Sequence, residues 1–315
     1  MKKLRLCAYN LENFFVFMEN YSGHDLKTIN EKTWQSLTYG VRPNKELNKI
    51  QMLAYTFNLI NADIYFLSEV GGAQSLENFN QHFLGNHFDI YHEEGNSPRG
   101  IDVAYMVRKN LPYEFKLTSF KNKTLRGPTK KKLKFSRNLL QLSLRKKKEK
   151  NPWLTLLLVH LKSKLSNPND FEGSDQRRAE VNSIISHYQK MQKKMNGKGA
   201  IILGGDMNSI ATIQEVEPEF DLLYRKTDLK DIHDLKNSTL EERCSYVHFQ
   251  GGRRYLNQLD YLFLSETLHS KIIYKQSYNF HYLNKHGEAI IFPENRKERQ
   301  LLPSDHYPVI VTLKV

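Results

Sequence analysis

Seven short apolar runs punctuate the chain, at residues 4–9, 63–67, 101–107, 153–159, 200–203, 258–264 and 308–313. Each carries polar residues within it or beside it. Asn10 and Glu12 follow the first, Ser68 and Glu69 follow the second, and Asp102 sits near the start of the third. His160 follows the fourth and Gly204-Gly205-Asp206 the fifth. Asp260 lies within the sixth, while Ser304, Asp305 and His306 precede the last. Continuous apolar runs of this length fit strands covered on both faces, and α/β proteins place their chemistry at strand ends. Between the runs, Leu47, Ile50, Leu53, Ala54, Phe57 and Ile60 recur at helical spacing. A second amphipathic helix is predicted over residues 175–195, opened by Asp175, Arg177 and Arg178 and closed by Gly197 and Gly199. No linker rich in proline, glycine or serine divides the chain, so one α/β domain over residues 1–315 is expected.

No run reaches the roughly 18 apolar residues of a membrane span. Arg5, Asn10, Glu12 and Asn13 interrupt any signal-peptide core, and a cytoplasmic location is expected. The two cysteines, Cys7 and Cys244, cannot form a disulfide framework. Charge constrains partners more. Lys and Arg number 47 against 34 Asp and Glu, a net +13 that favours polyanions, nucleic acid first and anionic membrane second. The excess concentrates at residues 121–137 and 145–150, which flank a predicted strand at 138–144 and read as a loop and a hairpin turn. Such runs are either solvated surface or a nucleic-acid contact.

Taken singly, each polar cluster has an ordinary reading. Glu69 can be a plain strand-end carboxylate, Asp305-His306 a surface pair, and His160 a satisfied core histidine. Gly204-Gly205-Asp206-Met207-Asn208 can be a tight turn and nothing more. Together and in this order they resemble one family. AYNLEN (8–13), LSEV (67–70), HLKSK (160–164), GGDMNS (204–209), LDYLFLS (259–265) and SDHYPV (304–309) are similar to the motifs of the endonuclease/exonuclease/phosphatase superfamily, metal-dependent phosphoesterases built like pancreatic deoxyribonuclease.

The resemblance implies a four-layer α/β/β/α sandwich of two packed mixed sheets flanked by helices. It implies Glu69 as main metal ligand, assisted by Asn10 and Asp305, with Glu12 as a further ligand or the neighbour of one. Oxygen donors of this kind suit Mg²⁺, with Mn²⁺ as a substitute, and not zinc. Asp206, oriented by Asn208, would accept the proton of the attacking water, and His306 would contact the phosphate with Asp260 fixing its tautomer. His160 would supply a second phosphate or leaving-group contact, and Arg137 and Lys162 would touch substrate. The division of acid and base roles between Asp206 and the His306–Asp260 pair stays open. Asp102 reads as structural, paired with Arg99.

Departures narrow the family. No arginine closely follows GDMN, and the Asp260 block reads NQLDYLFLS, which disfavours inositol polyphosphate phosphatases. LDYLFLS is closer to apurinic-site endonucleases, and HLKSK followed by RRAE looks like bacterial nuclease-type members. The expected activity is Mg²⁺-dependent phosphodiester hydrolysis by a DNA-directed nuclease, an endonuclease before an exonuclease. The alternatives are a phosphoesterase for a lipid headgroup or small phosphorylated metabolite, and a non-catalytic nucleic-acid-binding module. A monomer is expected. Residues 23–44 and 215–252 are expected to form loops at the rim of the site.

Overall fold

The computed structural model describes residues 2–23, 25–127, 132–164, 170–284, 286–290 and 292–315. Lys130 and Lys131 of the first basic run lie outside the described residues. All seven apolar runs contain strands, and the strands form two six-stranded mixed sheets. The first runs Tyr278–Asn279, Val309–Lys314, Lys3–Phe14, Ile64–Val70, Asp102–Arg108, Phe88–His92. The second runs Lys230–Asp231, Asp260–Leu264, Ile201–Asp206, Leu154–His160, Leu139–Lys146, Tyr113–Ser119.

Each sheet has one parallel pair, at its centre, flanked by antiparallel neighbours. Parallel neighbours require a crossover, and the two helices legible in the sequence lie on those crossovers. Leu47–Ile60 lies between Lys3–Phe14 and Ile64–Val70, and Ser174–Lys194 lies between Leu154–His160 and Ile201–Asp206. The first ends on Asn61 in the left-handed conformation (φ 49°), whose N–H meets the Phe57 carbonyl. Gly173 precedes the second, Asp175 stands in its first turn, and Asp170 accepts the N–H groups of Asp175 and Gln176 at 3.0 and 3.1 Å.

Three apolar layers hold four structural layers together. Leu4, Leu6 and Ala8 point between the sheets, where Leu156, Leu158, Ile202 and Leu262 meet them. Cys7, Tyr9 and Leu11, one residue out of phase, point to the other face and pack on Ile50, Leu53 and Phe57. On the far side, Leu157, Val159, Ile201 and Leu203 pack on Ala179, Val181, Ile184 and Tyr188. No helix among the described residues is long and apolar enough to cross a membrane.

Two expectations need correction. Residues 23–44 are not only a rim loop: the short helix Glu31–Gln35 buries Trp34, whose Nε1 donates to the Lys45 carbonyl at 2.8 Å. Residues 215–252 hold helices Asp221–Lys226, Ile232–Lys236 and Leu240–Arg243, an edge strand of the second sheet, and Tyr246–Gln250 of a separate hairpin. The second basic run does occupy a hairpin turn, between Leu139–Lys146 and Leu154–His160.

Candidate active site

Strand register places half of the site. Asp206 stands opposite Asp260 on one side and His160 on the other, so three candidate side chains share a row across adjacent strands. Gly205 permits the row, because its φ is +122° and a Cβ there would lie 2.0 Å from the Val159 carbonyl oxygen. Asn10 reaches across from the first sheet, donating through Nδ2 to Asp206 Oδ2 at 2.9 Å while its Oδ1 accepts the Glu12 N–H. The Asn208 N–H donates to Asp206 Oδ1 at 2.7 Å. His306 sits on the turn before the last strand, and its Nδ1 donates to Asp260 Oδ2 at 2.6 Å. Ser304 fixes that turn, accepting the His306 N–H and donating to the Asn10 carbonyl.

Burial sets the proton affinities. It pushes Asp206 up, and the Asp260 carboxylate adds to this, to about 7 against the opposing pull of His306, Asn208 and Asn10. Burial opposes charge on His306, but Asp260, Asp305 and Asp206 around it hold it well above the usual imidazole range. Burial and the nearby Arg137 hold His160 well below that range. His160 is therefore neutral, and its 3.5 Å approach to Asp206 is no ion pair. Its Nδ1 has no hydrogen-bond partner among the described residues. The site thus contains an imidazolium, a neutral imidazole and a carboxyl poised near neutrality.

A cavity of about 830 Å³ opens at Asp206, Asn208 and His306 and is also lined by Glu12, Glu69 and Asp305. Among the described residues, Asp206, Asp260 and His306 form the cluster whose ligand-type atoms all lie within 4.8 Å of one another. Glu12, Glu69 and Asp305 share the cavity without converging as tightly. Glu69 accepts the Asn13 N–H through Oε2 at 2.8 Å. Asp305 is raised by burial and by the charge of Glu12, so it is a carboxyl that a divalent cation would relieve. That donor chemistry fits Mg²⁺. Glu12 is already engaged: its Oε2 lies 3.1 Å from Lys45 Nζ and 3.8 Å from Lys49 Nζ.

The substrate-contact candidates separate. Arg137 is buried with Nη1 donating to the Leu161 carbonyl, and Asp206 and Glu69 are among the carboxylates that favour its charge. Its Nε has no partner among the described residues. Lys162 does not line the cavity, because its backbone is tied to Glu180 and Arg177; Ser163 and Lys164 line it instead. Asp102 pairs with His92 Nε2 (3.2 Å) and the Gly95 N–H (2.8 Å), not with Arg99.

One element went unread in the sequence. Tyr246–Gln250 and Arg253–Asn257 pair as a hairpin around Gly251-Gly252, a dipeptide that between alternating runs signals such a turn. Val247 and Phe249 pack on the core, and Tyr246, His248, Phe249, Gln250, Tyr255 and Asn257 line the cavity. The Tyr246 ring lies 4.9 Å from that of His306.

Two packed mixed sheets closed by helices, with an acid–imidazole row at one end, define a phosphoesterase-type α/β fold. The chain matches the Endonuclease/Exonuclease/phosphatase family over residues 5–314 and belongs to it. No curated protein matches it by sequence. Similar solved structures include truncated Caenorhabditis elegans TDP2 (TM-score 0.59, 18% identity, covering 99% of this chain and 98% of that one). The human nocturnin catalytic domain with bound sulfate anion is similar at TM-score 0.60 and 16% identity, covering 99% and 94%. D. rerio TDP2 complexed with single-strand DNA product is similar at TM-score 0.59 and 15% identity, covering 100% of each. At such identities the likeness concerns the fold.

Proposed function

We propose that this chain is a Mg²⁺-dependent phosphodiester hydrolase acting on DNA, with residues 1–315 as one catalytic unit. The observation that carries the reading is the Asp206–Asp260–His306 cluster beside a cavity lined by Glu69 and Asp305. Glu69 and Asp305, with Asn10 beside them, would hold the ion, which supplies positive charge against the phosphoryl oxygens. Asp206, held by Asn10 and Asn208, takes a proton from the attacking water. With Nδ1 committed to Asp260, His306 offers Nε2–H to the phosphate. Neutral His160 stands next to Asp206 as a further polar contact.

Nucleic acid is favoured over a lipid headgroup by the net +13 and by the hairpin face of Tyr246, His248 and Tyr255, on which a base can stack. The DNA product in the D. rerio neighbour agrees with this reading. The test is supercoiled plasmid incubated with protein and Mg²⁺, beside EDTA and His306→Ala controls. Nicking lost in both controls is expected. A plasmid left intact, with DNA ends also untouched, would overturn the DNA assignment and leave phosphorylated small molecules to be tried.

A further inference from the structure

At Glu12 and Asn13 the catalytic cavity adjoins a second cavity of about 510 Å³, lined by both residues as well. Four cationic side chains face it: Arg42, Lys45, Lys49 and Arg99. Among the described residues that line it, only Glu12 and Glu46 oppose them. The side chains of Lys45 and Lys49 are 5% and 10% exposed, and they share one oxygen of Glu12. Two buried ammonium groups on one carboxylate leave positive charge uncompensated where water cannot screen it, which costs stability. Arg42 lies over the Phe15 ring, 4.4 Å from its centre, and donates to the Arg99 carbonyl at 2.7 Å. Arg99 donates to Asn13 Oδ1 at 2.7 Å. Both guanidinium groups are thus oriented by neutral acceptors, and neither forms an ion pair among the described residues. Gly100 (φ +63°) makes room for this, since a Cβ there would lie 2.9 Å from Arg42 Nη1. Distant segments converge to concentrate positive charge beside the reaction site, where four cationic side chains face two acids among the described residues.

The geometry points to this pocket as a subsite for a second phosphate of the substrate, flanking the phosphodiester that is cut. The inference rests on the hydrolase reading above and deepens it. Guanidinium forks and ammonium groups recognise phosphate oxygens through charge-assisted hydrogen bonds. A polynucleotide carries such a phosphate at every step, whereas a metabolite with one phosphate carries none. The pocket therefore selects for polymer.

The test compares wild type with an R42Q/R99Q double variant in Mg²⁺. Its substrates are bis(p-nitrophenyl) phosphate, which has one phosphodiester and no neighbour, and a short oligodeoxynucleotide. A third substrate is the same oligonucleotide with a neutral methylphosphonate placed in turn on each side of the cleaved bond. The variant should raise KM for the oligonucleotide by about tenfold, the loss of one charge-assisted contact, with turnover of the small diester unchanged. One methylphosphonate position should reproduce the loss in wild type and add nothing in the variant. An unchanged KM, or equal loss on both substrates, would overturn the subsite. If wild type hydrolyses neither substrate, the hydrolase reading fails, and the subsite is still read by fluorescence anisotropy of a labelled oligonucleotide. About tenfold weaker binding by the variant supports it, and equal affinity overturns it.

Discussion

The second sheet delivers His160, Asp206 and Asp260 by unbroken strand register, whereas the first delivers Asn10, Glu12 and Glu69 where its strand pairing slips. The slips lie between Asn10 and Phe14 and between Ser68 and Val70. Backbone strain gathers around the cavity. Among the described residues eleven that are not glycine have positive φ, and seven of these are asparagines, which tolerate it. Of the remaining four, Glu12 and Glu69 lie at those slips and line the cavity, and Glu172, on the crossover between Leu154–His160 and Ile201–Asp206, lines it with them. Groups that exchange protons need fixed separations, and a regular sheet supplies them. On the proposed reading, carboxylates that hold a cation must be aimed at it, and such aiming costs local backbone strain held by the surrounding fold.

The largest expected effect separates the second-sheet row, to which His306 is tied through Asp260, from the carboxylates of the first sheet. His306→Ala should lower turnover on the order of 10³-fold with the fold intact by circular dichroism, and added Mg²⁺ should not restore it. Glu69→Gln should instead raise the Mg²⁺ concentration needed for half-maximal rate by about tenfold or more, with partial recovery at high Mg²⁺. The same metal response in both variants would erase the distinction. Next comes Gly205→Ala, which drives a methyl group into the Val159 carbonyl at the centre of the register-built half. A loss of about 2–4 kcal/mol in denaturant unfolding is expected; a smaller loss would show that this row can shift.

Much of the scaffold was readable because period and length carry it. Runs such as 153–159 are apolar on both faces because both faces are covered, and the two amphipathic helices are the crossovers that parallel pairs require. The site residues were readable only through motif order, since Glu69 or His160 alone has an ordinary alternative. What escaped depends on partners far away in sequence. Glu12 looks like a free loop acid until Lys45 and Lys49 fold onto it, 33 and 37 positions later. Trp34 gives no local sign that it anchors its segment in the core, and Arg137 none that it is buried. The Tyr246 hairpin did have a local signal in its two glycines and alternating flanks. Proton affinities could not be read at all, because burial dominates those of Asp206 and His160.

Asn10 tests how the halves are coupled, as the side chain that reaches from one sheet to Asp206 on the other. Its N–H group stabilises the Asp206 carboxylate, so Asn10→Ala should raise an affinity that already lies near 7. A base must be ionised to act. The acid limb of kcat/KM therefore moves to higher pH, and the rate below neutrality falls by about tenfold. A limb that stays in place, or moves down, would assign the limiting ionisation elsewhere.

The smallest effect concerns the fourth strained residue, Lys148 (φ 72°), which lies in the exposed turn between Leu139–Lys146 and Leu154–His160, outside the cavity. If strain at the site is retained for function, strain away from it should be removable without cost. Lys148→Gly relieves a left-handed lysine but gives the unfolded chain more freedom, so a net rise in melting temperature of about 1–3 °C is expected. Activity on the small diester should not change. A fall in melting temperature would break the division, because Lys148 would then be held by contacts worth more than the backbone cost. A gain in stability with weaker, less salt-dependent DNA binding would make this basic turn a phosphate contact, and the strain there functional as well.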